Sequence, residues 1–160
     1  MSAARGPAAL SCAVRNWYPS IWVFPPRALA ATLLPLEPDH PIRVLAVDRN
    51  PLMREGLALL IGLQPDMQLV AAVATPAEAL EVYFERQPDV TVMDLDSPSA
   101  TAVESIREIR ARNRDARVIG LTTYAPDDAW AEALSAGACQ CLGKDRLSDN
   151  LLRTIRNGTP

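Results

Sequence analysis

Short apolar runs of strand type alternate with amphipathic helical patterns five times between residues 41 and 158. The predicted strands are "IRVLAV" (42–47), "MQLVAAV" (67–73), "DVTVM" (89–93), "RVIGL" (117–121) and a weaker "CQCLG" (139–143). Parallel strands need long crossover connections, which are usually helices, whereas antiparallel strands are joined by short turns. The alternation therefore predicts an α/β fold: a doubly wound, five-stranded parallel sheet with helices on both faces.

The segments between the runs carry signals of helix starts. The predicted helices are "PLMREGLALLIGLQ", "TPAEALEVYFERQ", "AVESIREIRARN" (102–113), "PDDAWAEALSAG" (126–137) and "LSDNLLRTIRNG". Pro51 suits a first helical turn because proline has no N–H to leave unpaired there. Thr75, Pro76 and Glu78 have the spacing of a capping box at the start of the second helix. These signals support one helix after each strand.

Length and composition limit the class of protein to which the chain can belong. With 160 residues, of which 49% are hydrophobic and 22% charged, the chain suits one globular domain. A net charge of −3 gives no sign of a nucleic-acid-binding surface. The odd number of cysteines, three, fits a reduced, cytoplasmic setting. We expect Cys139 and Cys141 to be buried in strand packing, because the only histidine, His40, is far along the chain from any Cys-x-Cys metal site.

The first 40 residues differ from the rest of the chain. They contain the proline clusters "YPS", "FPPR" and "LPLEP", and no sustained helical or alternating pattern. The apolar stretch "ALAATLLPL" (28–36) is too short for a membrane span, which takes about 20 residues, and a secretory signal fits poorly. We expect an irregular or disordered extension over residues 1–40 and a globular domain over residues 41–158. A translation start placed too far upstream and a weak membrane-surface anchor are the alternatives for the extension.

Chemically active side chains follow four of the five predicted strands. They are Asp48, Asp94, Asp96, Thr122, Thr123 and Lys144. Each one alone also suits an ordinary turn or a solvated surface. However, the carboxyl ends of parallel strands meet at one edge of the sheet, and ligands bind in the crevice where the winding reverses. Their joint placement therefore predicts a single site.

This set of side chains suits the transfer of a phosphoryl group to a carboxylate. A carboxylate can attack phosphorus once the negative charges around it are neutralised, for example by Mg²⁺ held by oxygen ligands. A lysine adds a second positive charge, and a hydroxyl can donate to the phosphoryl oxygens after transfer. Asp94 follows the central apolar run "VTVM" and is the natural nucleophile.

Residues 41–158 resemble a response-regulator receiver domain of the NarL/FixJ-like subfamily. The resemblance is carried by "IRVLAVDRNPLMREGLALL", "PDVTVMDLDSP", "VIGLTTYAPDD" and "AGACQCLGKD". It implies the flavodoxin-like receiver fold with strand order 2-1-3-4-5. It also implies two-component signal transduction, in which a histidine kinase donates a phosphoryl group to the receiver. The receiver then signals to a partner, usually in transcription regulation.

The resemblance implies a role for each residue at the strand ends. Asp94, in "MDL", is the phosphoacceptor, and Thr122 is the switch hydroxyl. Lys144 is the charge partner of the phosphoryl group and the carboxylates. Mg²⁺ is held by Asp48, Asp94 and the backbone carbonyl of Asp96. A homodimer or partner protein would use the surface formed by the fourth helix and the fifth strand.

Three features depart from the receiver pattern. Arg49 stands where the family has a second acidic residue that touches Mg²⁺. Cys141 replaces an aromatic residue whose rotamer reports phosphorylation in the family. The sequence stops at Pro160, where the subfamily continues into a helix-turn-helix domain, so we expect no direct DNA binding by this chain.

Arg49 has the largest expected effect of the three departures. Exchanging a carboxylate for a guanidinium changes the local charge by two units, each worth about 4 kcal/mol at roughly 4 Å and an effective dielectric near 20, before solvent reduces it. We therefore expect Mg²⁺ binding to be weak or lost. An inward Arg49 would pair with Asp94 and replace the charge of the metal. An outward Arg49 would leave Asp48 and Asp94 to bind Mg²⁺ weakly through water.

Three functional hypotheses follow from the sequence. The first is a receiver phosphorylated on Asp94, with no enzyme activity beyond self-catalysed phosphorylation and dephosphorylation. The second is a degenerate pseudo-receiver that dimerises or binds a partner without phosphorylation. The third, a haloacid-dehalogenase-type phosphatase, rests on "DLD" at 94–96. That motif belongs after a first strand and before a glycine-threonine pair, whereas here it follows the third strand and continues "SPS".

Overall fold

The computed structural model describes residues 40–96, 99–123 and 128–157, so the extension expected over residues 1–40 lies almost wholly outside the described residues. Strands and helices alternate as predicted. The strands are β1 (Ile42–Val47), β2 (Met67–Val73), β3 (Val90–Asp94), β4 (Arg117–Thr122) and β5 (Gln140–Gly143). The helices are α1 (Pro51–Gly62), α2 (Pro76–Arg86), α3 (Ser99–Arg112), α4 (Asp128–Ala136) and α5 (Leu147–Arg156), with a 3₁₀ turn at Lys144–Arg146. None of these helices is long and apolar enough to span a membrane.

All five strands are parallel and lie in the order β2-β1-β3-β4-β5. This confirms the predicted doubly wound α/β fold and its strand order. The winding reverses between β1 and β3, the place where such sheets open a crevice. In the register, Val47 lies beside Met93 and Asp94 lies beside Leu121. The residues that follow β1, β3 and β4 therefore emerge side by side at this crevice.

The core has two layers because successive strand side chains point to opposite faces of the sheet. One layer contains Leu45, Val47 and Met93 of the strands with Tyr83, Ile106 and Ala133 of the helices. The other contains Val44, Ala46 and Val92 with Leu57, Ile61, Leu151 and Ile155. Helices α2, α3 and α4 thus cover one face of the sheet, and α1 and α5 cover the other. Packing on both faces of the sheet therefore fixes the carboxyl ends of the strands.

The helix starts follow the signals in the sequence. Pro51 is the first residue of α1. Thr75 caps α2, where its Oγ1 accepts the backbone N–H of Glu78 at 3.2 Å. The Glu78 carboxylate in turn accepts the N–H of Ala74 at 3.1 Å, one residue before the cap. The capping box is therefore present, with its second bond shifted by one residue.

Helix α3 is longer than predicted. It begins at Ser99, whereas the apolar periodicity predicted a start at residue 102. Ala100 and Thr101 are exposed, so the first turn contributes nothing to the apolar pattern by which the helix was recognised. For α4 the structure gives a start at Asp128, and the predicted start at residue 126 lies outside the described residues.

One prediction about the cysteines is wrong. Cys141 is buried, 2% exposed, as expected of strand packing. Cys139 is exposed, because β5 begins one residue later and Cys139 lies in the connection from α4. No group of three metal-ligating side chains is found within the described residues, so nothing there supports a Cys-x-Cys metal site.

Arg156 ties the last helix to the connection between α1 and β2. Its Nε and Nη2 lie 2.6 and 2.7 Å from the two carboxylate oxygens of Asp66, and Nη2 also donates to Gln64 Oε1 at 2.8 Å. The hydrogen bond from Arg156 lowers the pKa of Asp66, and the same bond raises the pKa of Arg156. Two guanidinium nitrogens of Arg156 contact both carboxylate oxygens of Asp66. This geometry favours a measurable contribution of the ion pair to the free energy of unfolding, although both side chains remain partly exposed.

We expect Arg156→Gln to lower the free energy of unfolding by about 0.5–1 kcal/mol at neutral pH. A lowered folded pKa means that the stabilisation by Asp66 is present above the unfolded value of 3.8 and is lost as pH falls through the folded pKa. Urea unfolding should therefore show the difference from wild type shrinking in acid. Arg153→Gln, at an exposed position of the same helix, is the control. An equal loss in that variant would contradict a specific role for Arg156.

Candidate functional site

Three carboxylates surround one ammonium group at the predicted edge of the sheet. Lys144 Nζ lies 2.8 Å from Asp48 Oδ2, 2.7 Å from Asp94 Oδ1 and 3.3 Å from Asp96 Oδ2. The side chains of Asp48 and Asp94 are only 1% and 2% exposed. The register places Thr122 beside Gly143, so Lys144 emerges directly after β5 at the same edge. The structure thus brings together the residues that the strand ends predicted.

Asp94 is the last residue of β3 and presents two unlike oxygens. Its Oδ1 accepts the ammonium of Lys144 and the backbone N–H of Asp96 at 3.0 Å. Its Oδ2 is buried and has no hydrogen-bond partner among the residues that the structure describes. Burying a carboxylate oxygen without a partner is costly, which makes this oxygen the natural place for an incoming group.

The loop after β1 is held by hydrogen bonds between side chains and backbone groups. Asp48 Oδ1 accepts the N–H of Asn50 at 2.8 Å, and Asn50 caps α1. Arg54, one turn into α1, donates through Nη1 to the carbonyls of Asp48 and Arg49 at 2.8 and 3.1 Å. Arg54 thereby fixes the loop that positions Asp48. The sequence patterns did not single out Arg54, because its partners are backbone atoms.

The Arg49 side chain points outward. It is exposed, and within residues 40–96, 99–123 and 128–157 its guanidinium makes no hydrogen bond or ion pair. Of the two arrangements left open by the sequence, the structure therefore has the outward one, and Asp94 pairs with Lys144 instead. Arg49 still lines the wall of a cavity of about 330 Å³ that opens over Asp48, Asp94 and Lys144. A cavity of this size has room for a phosphoryl group and several waters.

The sequence placed the Asp96 side chain at the site but assigned a role only to its backbone carbonyl. Its carboxylate accepts the Thr122 hydroxyl at 2.9 Å, the Thr123 hydroxyl at 2.6 Å and the Thr123 N–H at 3.0 Å. The sequence did offer a signal for this contact. Asp96 lies just after β3, and the neighbouring strand β4 is followed by a second threonine, Thr123, after Thr122 at its end. The hydroxyl of Thr122 therefore faces Asp96 in this structure.

Neighbouring groups in the site shift the pKa values of Lys144 and Asp96 toward their charged forms. Burial acts to lower the pKa of Lys144, but hydrogen bonds and charge from Asp48 and Asp94 outweigh it and raise the pKa. Burial acts to raise the pKa of Asp96, but hydrogen bonds from Thr123 and Thr122 and the charge of Lys144 outweigh it and lower the pKa. Lys144 and Asp96 are therefore both charged at neutral pH.

A family model described as the response regulator receiver domain matches residues 44–156. The chain belongs to the response regulator receiver family. Among its relatives, the transcriptional activator DevR/DosR of Mycobacterium tuberculosis is 32% identical over 116 residues, and a nitrate/nitrite response regulator homolog of Haemophilus influenzae is 32% identical over 115. Each alignment covers 72% of this chain and 54% or 55% of the relative. The receiver thus spans about half the length of these bacterial relatives.

Solved structures agree with the assignment. The response regulator domain of Thermotoga maritima CheB has a TM-score of 0.68 at 31% identity, covering 74% of this chain and 96% of that chain. A LuxR-family response regulator from Aurantimonas sp. SI85-9A1 has a TM-score of 0.67 at 33% identity, covering 72% and 82%. Receivers are generally signalling modules that interact with histidine kinases and other partners, and no enzyme family is indicated. Membership of the receiver family favours the two receiver hypotheses over the phosphatase raised by "DLD".

The receiver family typically binds Mg²⁺ at its acidic pocket, and the oxygens of this receiver fit such an ion. Mg²⁺ keeps several waters and needs only one or two carboxylates from the protein. Asp48 and Asp94 supply two carboxylates at the cavity, and Asp94 Oδ2 is a buried oxygen in need of a partner. The Arg49 side chain offers no oxygen ligand, and the carboxylates that line the cavity are those of Asp48, Asp94 and Asp96.

Lys144 is the only lysine in the sequence, and the other 15 basic residues are arginines. A lysine ammonium is a compact point charge, whereas a guanidinium is a wide planar fork. Here the single ammonium of Lys144 lies within 2.8 Å of both Asp48 and Asp94.

Cys141 occupies the position where the resemblance implied an aromatic switch residue. Its Sγ is buried and lies 3.9 Å from the carbonyl of Trp130 in α4. The Trp130 side chain is itself half-buried against the same core layer. The structure shows a contact between Cys141 and Trp130 at this position. The loss of an aromatic side chain that reports phosphorylation remains a prediction.

Proposed function

We propose that this receiver accepts a phosphoryl group on Asp94 from a histidine kinase and signals to a partner protein. The observation that carries the proposal is the buried Asp94 in the wall of an open cavity: Lys144 holds one carboxylate oxygen, and the other has no hydrogen-bond partner among the described residues. The membership of the receiver family supports the same reading. The reduced cysteines expected from the sequence fit a cytoplasmic setting, where such a kinase would act.

The proposed step is a displacement at phosphorus. An oxygen of Asp94 attacks the phosphorus of a phosphohistidine, the new P–O bond forms, and the P–N bond breaks. With a proton on the other ring nitrogen of the phosphohistidine, the electron pair goes to the imidazole, which leaves as neutral histidine without a further proton transfer. Lys144 keeps its charge throughout and offsets the negative charge shared by Asp94 and the phosphoryl oxygens. Its 2.7 Å contact to Asp94 also holds the carboxylate in place for attack.

We further propose that Asp48, Asp94 and the backbone carbonyl of Asp96 would hold Mg²⁺. When bound, the ion would supply positive charge to the incoming phosphoryl oxygens. Asp48 is preorganised for this role because the Asn50 N–H holds its other oxygen. The outward Arg49 would weaken the site by its positive charge, and its side chain supplies no oxygen ligand.

The output of this receiver is proposed to be a protein contact. The surface of α4 and β5 is the proposed place for a homodimer or a partner, and Leu134 of α4 is 43% exposed there. DevR/DosR, named above, is a DNA-binding transcriptional activator, and the match to this chain covers 54% of it, which makes transcription regulation the proposed destination of the signal. We propose no direct contact of residues 41–158 with DNA, since the net charge of the sequence is −3.

Acetyl phosphate provides the test. Incubation with Mg²⁺ should add the mass of one phosphoryl group to the intact protein, with acetate as the leaving group, and Asp94→Asn should abolish the addition. EDTA should suppress labelling of the wild type. Wild-type protein that stays unlabelled, and that binds partners as well as Asp94→Asn does, would contradict phosphorylation. That result would support the alternative, a pseudo-receiver that acts by contact alone, which the arginine at position 49 favours.

Arg49→Asp should strengthen Mg²⁺ binding. The substitution adds a carboxylate and removes a positive charge at the cavity wall, so we expect Kd for Mg²⁺ to fall about tenfold or more. Isothermal titration calorimetry on metal-free protein measures this constant. Arg107→Asp makes the same charge change on exposed α3 and should leave Kd nearly unchanged. Equal affinities of wild type and Arg49→Asp would refute the role assigned to Arg49.

A further inference from the structure

The Asp96 carboxylate already occupies donors that a phosphoryl group on Asp94 would use. It accepts hydroxyl protons from Thr122 and Thr123 at 2.9 and 2.6 Å, and the Thr123 N–H at 3.0 and 3.1 Å to its two oxygens. Lys144 Nζ lies 3.3 Å from the same carboxylate. Hydroxyls, a backbone N–H and an ammonium are the groups that typically bind phosphoryl oxygens. An anion is therefore already bound beside Asp94, and it belongs to the chain itself.

Thr122 makes the two anions mutually exclusive. A threonine hydroxyl has one proton to donate, and a carboxylate without a proton can only accept. Thr122 is fully buried, and its hydroxyl directs that proton to Asp96. It cannot donate the same proton to a phosphoryl oxygen at the same time. The Asp96 side chain is 22% exposed, so it has a way out into solvent, whereas Asp94 does not.

We propose that Asp96 is an internal anion that holds Thr122 and Thr123, and that it must release Thr122 when a phosphoryl group on Asp94 takes its place. This inference rests on the proposed function of Asp94. Phosphorylation then exchanges one anion for another at the end of β4. The backbone N–H of Asp96 donates to Asp94 Oδ1, which links Asp96 directly to the proposed phosphoacceptor. Asp96 is a positioning residue in this scheme, since it acts through Thr122.

Beryllofluoride with Mg²⁺, an analogue of the phosphoryl group, tests the competition directly. Asp96→Asn keeps the shape and removes the charge, and we expect its affinity for beryllofluoride to rise about tenfold, as expected for the loss of a charge-assisted hydrogen bond. Thr123→Val removes only the 2.6 Å hydroxyl bond and keeps the Asp96 charge. We expect about a threefold rise in that variant, because the carboxylate is held less firmly.

Thermal-shift titrations of the full chain measure these affinities, with Asp115→Asn as an exposed control for net charge. A rise in Asp96→Asn without any rise in Thr123→Val would overturn the proposal, because charge repulsion alone would then explain the effect. An equal rise in Asp115→Asn would overturn it for the same reason. No change in either Asp96→Asn or Thr123→Val would show that the two anions do not compete.

An NMR measurement separates this inference from the proposed function. The Thr123 amide proton donates to a carboxylate, so its resonance should lie downfield in the wild type and move upfield in Asp96→Asn, with no phosphodonor present. If neither the wild type nor the variants bind beryllofluoride, the proposed function fails. The Thr123 amide resonance still decides whether Asp96 holds Thr123. A resonance that does not move in Asp96→Asn would overturn the internal anion by itself.

Discussion

Replacing Lys144 with methionine is expected to lower the free energy of unfolding by about 3 kcal/mol in metal-free buffer, the lower end of the range for breaking a buried ion pair. The ammonium lies within 2.8 Å of Asp48 and Asp94, which are 1% and 2% exposed. Without Lys144, two buried negative charges would face each other with no counter-charge. The loss should exceed by several-fold that of an exposed ion pair, which is worth at most about 1 kcal/mol. Urea unfolding measures the difference.

Two further variants show whether charge is the cause. In an Asp94→Asn background, Lys144→Met should cost much less, because one of the two buried charges is already gone; the difference is a coupling energy of about 1–3 kcal/mol. Lys144→Arg keeps the charge in a wider group and should fall between wild type and Lys144→Met. An identical cost of Lys144→Met in both backgrounds would contradict a stabilising pair between Lys144 and Asp94.

Leu45→Ala is expected to lower the free energy of unfolding by about 2–5 kcal/mol. Leu45 is fully buried in the middle of β1, in the core layer beneath α2 and α3. Truncating it removes apolar contacts and leaves a cavity that the rigid strands around it cannot fill. Urea unfolding again gives the value, and Mg²⁺ should not restore the loss, since the cavity lies within the core.

Leu59→Ala is the matched control for Leu45→Ala. Leu59 lies on α1 and is 69% exposed, so the same truncation should change the free energy of unfolding by no more than about 0.5 kcal/mol. Similar losses at the two positions would contradict the two-layer core that the strand alternation defines.

The sheet was predictable because buried parallel strands read as short apolar runs between helical patterns. The edge that carries the site followed from topology alone, since parallel strands end together and Asp48, Asp94 and Lys144 each follow a strand. The start of α3 was not predictable, because Ala100 and Thr101 face solvent and leave no apolar signal.

The bonding pattern within the site was only partly predictable. Strand order and register bring Asp96 near Thr122 and Thr123, but which donors a carboxylate accepts depends on side-chain geometry that the sequence does not encode in any pattern. The same holds for Arg49, for which sequence reasoning left two orientations open. Electrostatics did not decide between them, because an inward arginine and Lys144 both satisfy Asp94. The structure has Lys144 in that place.

The most direct measurement is the position of the phosphoryl group on wild-type protein after treatment with acetyl phosphate and Mg²⁺. Tandem mass spectrometry of a digest assigns the modified residue. We predict a phosphoryl group on Asp94 and on no other residue. A phosphoryl group on Asp48 or Asp96, or a protein that remains unmodified while a phosphorylatable receiver in the same tube is labelled, would contradict the assignment of Asp94 as the phosphoacceptor.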